Sequence, residues 1–143
     1  MRLLVKRLDP GLALPIYARA ADAGLDLLAA TDVMLKPGER AAVPTGVAVA
    51  IPPGYAGFLH ARSGRALRDG LALANAPGVI DSGFRGEIKA IVVNLDQSAP
   101  IYIARGDKIA QLVIQKVERV GVEACEELPP SERSGGGFGS SGR

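Results

Sequence analysis

At 143 residues, the chain is long enough for one domain with a buried core, and its 48% hydrophobic and 22% charged composition is globular rather than disordered. The net charge of +2 is too small to predict nucleic-acid binding, and no stretch is long and apolar enough for a signal peptide or a membrane span. One cysteine and one histidine exclude an internal disulfide and a zinc site, so we expect a cytoplasmic chain in which any metal is held by oxygen ligands.

Short apolar runs, separated by turns rich in Gly and Pro, follow one another along most of the chain. They predict about ten strands, which we place at residues 3–8, within 22–29, 33–35, 41–51, 55–61, 71–75, 79–80, 87–95, 100–104 and 108–118. Asp22 and Asp26 flank a glycine at the second of these, as in an ordinary turn leading into a strand. Pro44 predicts an edge or a bulge in the fourth strand, and an alternating pattern continues at residues 120–123. So many short strands predict an all-β barrel or jelly roll.

The single predicted helix covers residues 65–68, with Ser63 as its N-cap and Gly70 as its C-terminal stop. Arg62 and Ser63 begin an Arg-Ser-Gly triplet at the helix start. This triplet is a candidate anion site, because free backbone amides and the positive end of the helix dipole would face a ligand. Such triplets are common, and by itself this one is weak evidence for a site.

Residues 78–87, Gly-Val-Ile-Asp-Ser-Gly-Phe-Arg-Gly-Glu, are the stretch around which the chain is organised. Three glycines in ten residues predict a sharp bend or a close backbone approach rather than a regular strand. Strands are predicted on both sides, so the segment is interpreted as a hairpin whose bend holds Asp81. Asp81 either satisfies backbone amides in the turn or is a catalytic carboxylate at the foot of a base-binding hairpin.

The composition changes after residue 126, where Pro, Ser and Gly replace the apolar runs. We therefore divide the chain into a β-barrel domain, residues 1–128, and a mobile C-terminal arm, residues 129–143. The arm is either a disordered tail or a binding segment. In the second case Phe138 would be a stacking platform, Arg133 would clamp phosphate, and Ser140 and Ser141 would cradle terminal phosphates with the glycine amides.

Five stretches occur in a fixed order: Asp22-Ala-Gly-Leu-Asp-Leu, Arg62-Ser-Gly, residues 78–87, Arg105-Gly-Asp-Lys-Ile-Ala-Gln and Gly136-Gly-Phe-Gly-Ser-Ser-Gly. Together they resemble the five-motif pattern of the trimeric deoxyuridine triphosphate nucleotidohydrolases, the dUTPases, over essentially the whole chain. The resemblance implies a distorted jelly-roll β-barrel with one short helix and a flexible Gly-rich C-terminal tail. It also implies a homotrimer in which each active site collects residues from all three chains.

The activity implied by the resemblance is hydrolysis of dUTP to dUMP and pyrophosphate by magnesium-assisted attack of water on the α-phosphate. This reaction keeps uracil out of DNA and supplies dUMP for thymidylate synthesis. Asp81 would orient and deprotonate the water. Mg2+ would be held mainly by the substrate phosphates, and Asp26 would face it through bound water. Neither nucleic acid nor a membrane is an expected partner.

The resemblance also implies which residues bind the substrate. Those implied to hold the phosphates are Arg62, Ser63, Gly64, Gln111, Arg133, Ser140 and Ser141. Those implied to contact uracil or deoxyribose are Asn75, Val79, Ile80, Phe84 and Phe138. Asn75 and nearby backbone groups would bond the uracil edge and reject cytosine, because its exocyclic amine leaves fixed groups unpaired. Phe84 would pack on the deoxyribose and exclude a 2′-hydroxyl, and Phe138 would stack on uracil.

Two positions depart from the family pattern. Phe84 stands where Tyr is common, so the ring remains but the phenol oxygen is missing. Ser134 follows Arg133 where Gly is usual, and Ser tolerates a positive φ less well. Two alternatives to the hydrolase are a deoxycytidine triphosphate deaminase, which shares this fold, and a non-catalytic trimeric module that binds nucleotides. Ammonia release from dCTP would identify the first, and nucleotide binding without pyrophosphate release would identify the second.

Overall fold

The computed structural model describes residues 1–132 and 134–136. In that part of the chain it has ten strands and one helix. The strands are β1 (Leu4–Arg7), β2 (Leu25–Leu28), β3 (Val33–Leu35), β4 (Arg40–Ala50), β5 (Tyr55–His60), β6 (Leu71–Leu73), β7 (Gly78–Ile80), β8 (Glu87–Asn94), β9 (Ile101–Ile103) and β10 (Lys108–Lys116), and the helix is α1 (Ser63–Asp69). No helix among these residues is long and apolar enough to span a membrane.

Two four-stranded antiparallel sheets form the body of the fold, with strand orders β1-β4-β8-β6 and β2-β10-β5-β7, while β3 pairs with β9. Side chains alternate between the two faces of a strand. In β8, for example, Ile88, Ala90 and Val92 are buried, whereas Lys89 and Ile91 are exposed. The buried residues of both sheets form one core cluster. This arrangement confirms the predicted all-β jelly-roll class.

The alternating pattern at residues 120–123 does not form a strand in the structure. The described residues after β10 contain neither helix nor strand, and Val120 and Val122 are 80% and 97% exposed. Alternation predicts a strand only where a sheet is available to cover the apolar face, and no sheet covers these two side chains.

The predicted hairpin in the central segment is wrong, because its two strands belong to different sheets. β7 pairs with β5, whereas β8 pairs with β4 and β6. Residues 81–86 therefore cross from one sheet to the other. Apolar patterns identify strands but not their partners, and each of these strands pairs with a neighbour from elsewhere in the chain. Asp81 stands at the point where the chain leaves the sheet that contains β7.

β4 contains the bulge that Pro44 predicted, since its register with β8 shifts after this residue. Within the bulge, Gly46 N–H donates to Glu87 Oε1 at 2.9 Å. Thr45 Oγ1 donates to the carbonyl of Ile88 at 2.7 Å. These two bonds fix the first residues of β8, and with them one end of the crossing that begins at Asp81.

Helix α1 follows directly from β5, and its N-cap is Arg62 rather than the predicted Ser63. The helix begins earlier than predicted because Arg62 is extended (φ −93°, ψ 123°) and its carbonyl accepts Ala66 N–H at 2.9 Å. The predicted stop at Gly70 is confirmed by its left-handed φ of 71°. A Cβ at Gly70 would also lie 2.8 Å from the backbone nitrogen of Asp96, so glycine is needed there on both counts.

A polar cluster fixes the turn after β8, against which the end of α1 packs. Asn94 is fully buried and donates to the carbonyls of Leu35 and Ala99 at 3.0 and 2.9 Å. The Asp96 carboxylate accepts the amides of Ala99 and Ser98 at 2.7 and 2.8 Å. These bonds, of which the one from Ala99 has the largest effect, hold the pKa of the Asp96 carboxyl below its ordinary value. The turn therefore gives α1 a rigid support.

Candidate active site

The site residues predicted from the sequence lie in two cavities. The first, called the α1 cavity here, has a volume of about 550 Å³ and includes Asp26, Arg62, Ser63, Gly64 and Gln111 in its lining. The second, the Asp81 cavity, has a volume of about 330 Å³ and includes Asn75, Val79, Ile80, Asp81 and Phe84. Arg133, Phe138, Ser140 and Ser141 lie outside the described residues, so their roles stay predictions.

Strand register brings the side chains of the α1 cavity together. Asp26 of β2 lies opposite Gln111 of β10, and Gln111 lies opposite His60 at the end of β5. The chain then passes through Arg62 into α1. Three motifs that are far apart in the sequence therefore meet at one end of one sheet.

The side chain of Gln111 is held in place from two sides. Its Nε2 donates to the carbonyl of Ala61 at 3.0 Å. A Cβ at Gly24 would lie 3.0 Å from Gln111 Cβ and would overlap its amide oxygen. The sequence alone predicts only that Gly24 lies in a turn between Asp22 and Asp26. The structure shows that it makes room for the neighbouring amide side chain.

Asp26 is 7% exposed and is the charged centre of the α1 cavity. Arg62 pairs with its Oδ1, and Lys108 Nζ lies 2.7 Å from its Oδ2. The two cations offset the cost of burying this carboxylate. Sequence reasoning missed Lys108, although it lies within the fourth motif. Its role depends on the pairing of β10 with β2, for which the sequence carries no direct signal.

The α1 cavity suits Mg2+ only if phosphate and water supply most of the ligands. The described residues contain no group of three or more His, Cys, Asp or Glu that could hold a metal. Asp26 faces two cations, Asp22 accepts the amide of Arg19 at 2.9 Å, and Asp107 lies 3.4 Å from Arg65. Mg2+ is commonly bound through one or two carboxylates, several waters and substrate phosphates. This donor set therefore fits an indirect contact from Asp26.

Arg65 anchors α1 at the edge of the cavity and was not predicted. Its Nε pairs with Asp69 one turn later, and its Nη1 lies 3.4 Å from Asp107 Oδ2. Its Nη2 donates to the carbonyl of Tyr102 at 3.2 Å. The pair with Asp69 has ordinary i, i+4 spacing and was recognisable from the sequence. The other two contacts join α1 to β9 and to the turn that follows it, and they depend on the fold.

In the Asp81 cavity, the carboxylate of Asp81 is free. It is exposed and makes no hydrogen bond or ion pair within the described part of the chain. The backbone carbonyl of Asp81, rather than its carboxylate, accepts Phe84 N–H at 3.0 Å. The interpretation of Asp81 as a side chain that satisfies turn amides is therefore wrong. Phe84 is 44% exposed, and its ring covers Gly86.

Within one chain, Asp81 and Arg62 lie toward different ends of β5. The last residue of β7, Ile80, lies opposite Gly57 near the start of β5, and Asp81 continues in that direction. Arg62 follows the other end of β5. At about 3.3 Å per residue, the position along β5 beside Asp81 is separated from Arg62 by about 20 Å of extended chain. The cavities share no lining residue among those described.

Comparison with known proteins finds a family that matches most of the chain. The dUTPase family model matches residues 12–142. The deoxyuridine 5′-triphosphate nucleotidohydrolase of Thermobifida fusca is 56% identical over 142 residues, covering 99% of this chain and 79% of that protein. The protein of the same name from Mycolicibacterium gilvum is 57% identical over 145 residues, covering 98% of this chain and 94% of that protein.

Solved structures show the same likeness. The dUTPase of Staphylococcus bacteriophage 80alpha with dUpNHpp has a TM-score of 0.91 and 32% identity, covering 99% of both chains. A mutant dUTPase from phage phi11 of S. aureus, described with a structural Mg(II) ion, has a TM-score of 0.82 and 30% identity. It covers 89% of this chain and 98% of its own.

Proposed function

The chain belongs to the dUTPase family, and we infer that it is a dUTP diphosphatase that hydrolyses dUTP to dUMP and pyrophosphate. The reaction keeps uracil out of DNA and supplies dUMP for thymidylate synthesis. The structural observation that carries this inference is the free carboxylate of Asp81 in a cavity with Asn75 and Phe84. The family match also favours the hydrolase over the deaminase alternative.

Asp81 is proposed as the general base. Its carboxylate has no structural partner among the described residues, so it is available to orient a water molecule and accept its proton. The water oxygen forms a bond to the α-phosphorus, and the bond from that phosphorus to the α–β bridging oxygen breaks. The electron pair leaves with pyrophosphate, and dUMP retains the oxygen of the water.

The α1 cavity is proposed to bind the phosphates through Arg62, Ser63, Gly64 and Gln111. Arg62 supplies charge and Ser63 supplies a hydroxyl. The amide of Gln111, held by its hydrogen bond to the carbonyl of Ala61, supplies a fixed donor. Bound Mg2+ would offset phosphate charge, with its ligands drawn from phosphate and water and with Asp26 in indirect contact. A mutant dUTPase of phage phi11 is described with a structural Mg(II) ion, so a protein of this family can hold that metal.

Base and sugar selection are proposed to lie in the Asp81 cavity. Asn75 and the backbone of Val79 and Ile80 would pair with the uracil edge, and Phe84 would lie against the deoxyribose. Fixed donors and acceptors discriminate strongly, because a substrate with the wrong groups leaves them unpaired. Phe84 is 44% exposed, and its ring is proposed to exclude a 2′-hydroxyl by its bulk, without a phenol oxygen.

A homotrimer with shared sites is proposed as the working form. Asp81 and Arg62 of one chain lie at opposite ends of β5, too far apart to act on one triphosphate. A second copy could place its Asp81 cavity beside the α1 cavity of the first. A cyclic assembly would repeat this contact at every interface.

The first test is pyrophosphate release with magnesium from dUTP, dCTP, dTTP and UTP, measured side by side. We expect release from dUTP alone, at a rate at least about 100-fold above that from the other three. Release from UTP as well would show that Phe84 does not select the sugar. No release from any substrate would refute the hydrolase, and ammonia release from dCTP would then identify the deaminase.

The segment of residues 129–143 is proposed to close over the site as an arm. Arg133 would clamp phosphate, Phe138 would stack on uracil, and the Ser140-Ser141 pair would bind terminal phosphate. Deleting residues 133–143 leaves every described strand intact, since β10 ends at Lys116. We expect kcat/KM for dUTP to fall about 10- to 100-fold from the lost stacking and phosphate contacts. Sedimentation should show an unchanged assembly, and a dissociated or fully active truncated protein would contradict the arm role.

A further inference from the structure

Arg68 differs from the other cations that line the α1 cavity. Arg62 and Lys108 pair with Asp26, and Arg65 pairs with Asp69 and Asp107. Arg68 also lines the cavity, yet its side chain makes no hydrogen bond or ion pair in the part of the chain that the structure describes. It is exposed, so its guanidinium group keeps its donors available.

The side chain of Arg68 runs back along α1 toward the start of the helix. Its Nη1 lies 3.4 Å from the position that a Cβ of Gly64, one turn earlier, would occupy. Side chains on a helix lean in this direction. The guanidinium group therefore lies above the Ser63–Gly64 backbone, on the same side as the proposed phosphate-binding groups.

No carboxylate among the described residues pairs with Arg68. On its other side, Arg68 lines a cavity of about 310 Å³ that also contains Asp69 and Asp96. Asp69 is paired with Arg65, and Asp96 accepts the amides of the turn after β8. An arginine with all five donors free at the edge of an anion site is suited to phosphate, which it can bind through two parallel hydrogen bonds.

We propose that Arg68 binds the β- and γ-phosphates of the nucleotide, the part that leaves as pyrophosphate. This assignment rests on the proposed function and names a further substrate-binding residue for it. The base-binding residues and Asp81 line the other cavity. The α1 cavity therefore receives the end of the nucleotide that is remote from the base.

The test measures how strongly pyrophosphate and dUMP each inhibit hydrolysis of dUTP, using wild type, Arg68→Gln, Arg68→Lys and Arg40→Gln. Arg40 is an exposed arginine at the start of β4, outside both cavities, and serves as the matched charge control. In Arg68→Gln, we expect pyrophosphate inhibition to weaken about 10- to 100-fold and dUMP inhibition to stay unchanged. Arg68→Lys should recover part of the loss, and Arg40→Gln should match wild type.

The kinetic signature separates contact with substrate from a structural role. The KM for dUTP should rise by about the same factor by which pyrophosphate inhibition weakens. The kcat should change little, because the contact is present before and during the reaction. Equal weakening for dUMP and pyrophosphate, or wild-type pyrophosphate inhibition in Arg68→Gln, would overturn the assignment. If the wild type does not hydrolyse dUTP, the proposed function fails. Direct titration of pyrophosphate into the same four proteins then still decides whether Arg68 binds it.

Discussion

Asp81→Asn should lower kcat for dUTP by at least about 100-fold while leaving nucleotide affinity close to that of the wild type. Asn has almost the same shape as Asp, but it cannot accept the proton of the attacking water. The carboxylate of Asp81 makes no hydrogen bond or ion pair among the described residues, so its replacement removes no contact that supports the fold. Thermal unfolding of the variant should therefore match that of the wild type.

Asp96→Asn is the matched control for this experiment. Asp96 also sits in a turn, but its carboxylate is used to accept the amides of Ser98 and Ala99. We expect this variant to retain kcat and to lose some stability, the reverse of the expected result at Asp81. Full turnover in Asp81→Asn would contradict its role as the base. A large loss of binding in that variant would show that Asp81 positions the nucleotide instead.

The strands could be predicted from the sequence because they depend on local pattern. Apolar runs and Gly-Pro turns mark each strand whatever its partner, and the bulge at Pro44 follows from a missing amide. The stop at Gly70 follows from its tolerance of a positive φ. The candidate site residues came instead from the resemblance of five short stretches to the dUTPase motif pattern.

Features that depend on strand partners could not be predicted in this way. The two strands around Asp81 suggested a hairpin, and only their pairing with β5 and β4 shows that they belong to different sheets. The contact of Lys108 with Asp26 and that of Arg65 with Asp107 likewise join residues more than thirty positions apart in the sequence. These contacts depend on which strands pair, so no local pattern predicts them.

The separation of Asp81 from Arg62 along β5 has a direct test in mixed assemblies. One parent is Asp81→Asn, and the other is Ser63→Asp, which places a negative charge in the α1 cavity. Asp is tolerated in the first turn of a helix, so Ser63→Asp should fold. Its carboxylate should repel the phosphates and lower turnover by at least about 100-fold. Each parent alone should therefore be nearly inactive.

Trimers that contain both variants should regain activity if each site combines Asp81 of one chain with the α1 cavity of the next. In a cyclic trimer of either mixed composition, one interface in three joins an intact Asp81 to an intact Ser63. Mixed trimers isolated with a different tag on each variant should therefore show about a third of wild-type turnover. If both cavities of one chain served one site, every site would carry a defect and mixing would recover nothing. Verified mixed trimers that stay as inactive as their parents would thus refute the shared site, and a monomer in sedimentation would refute the assembly itself.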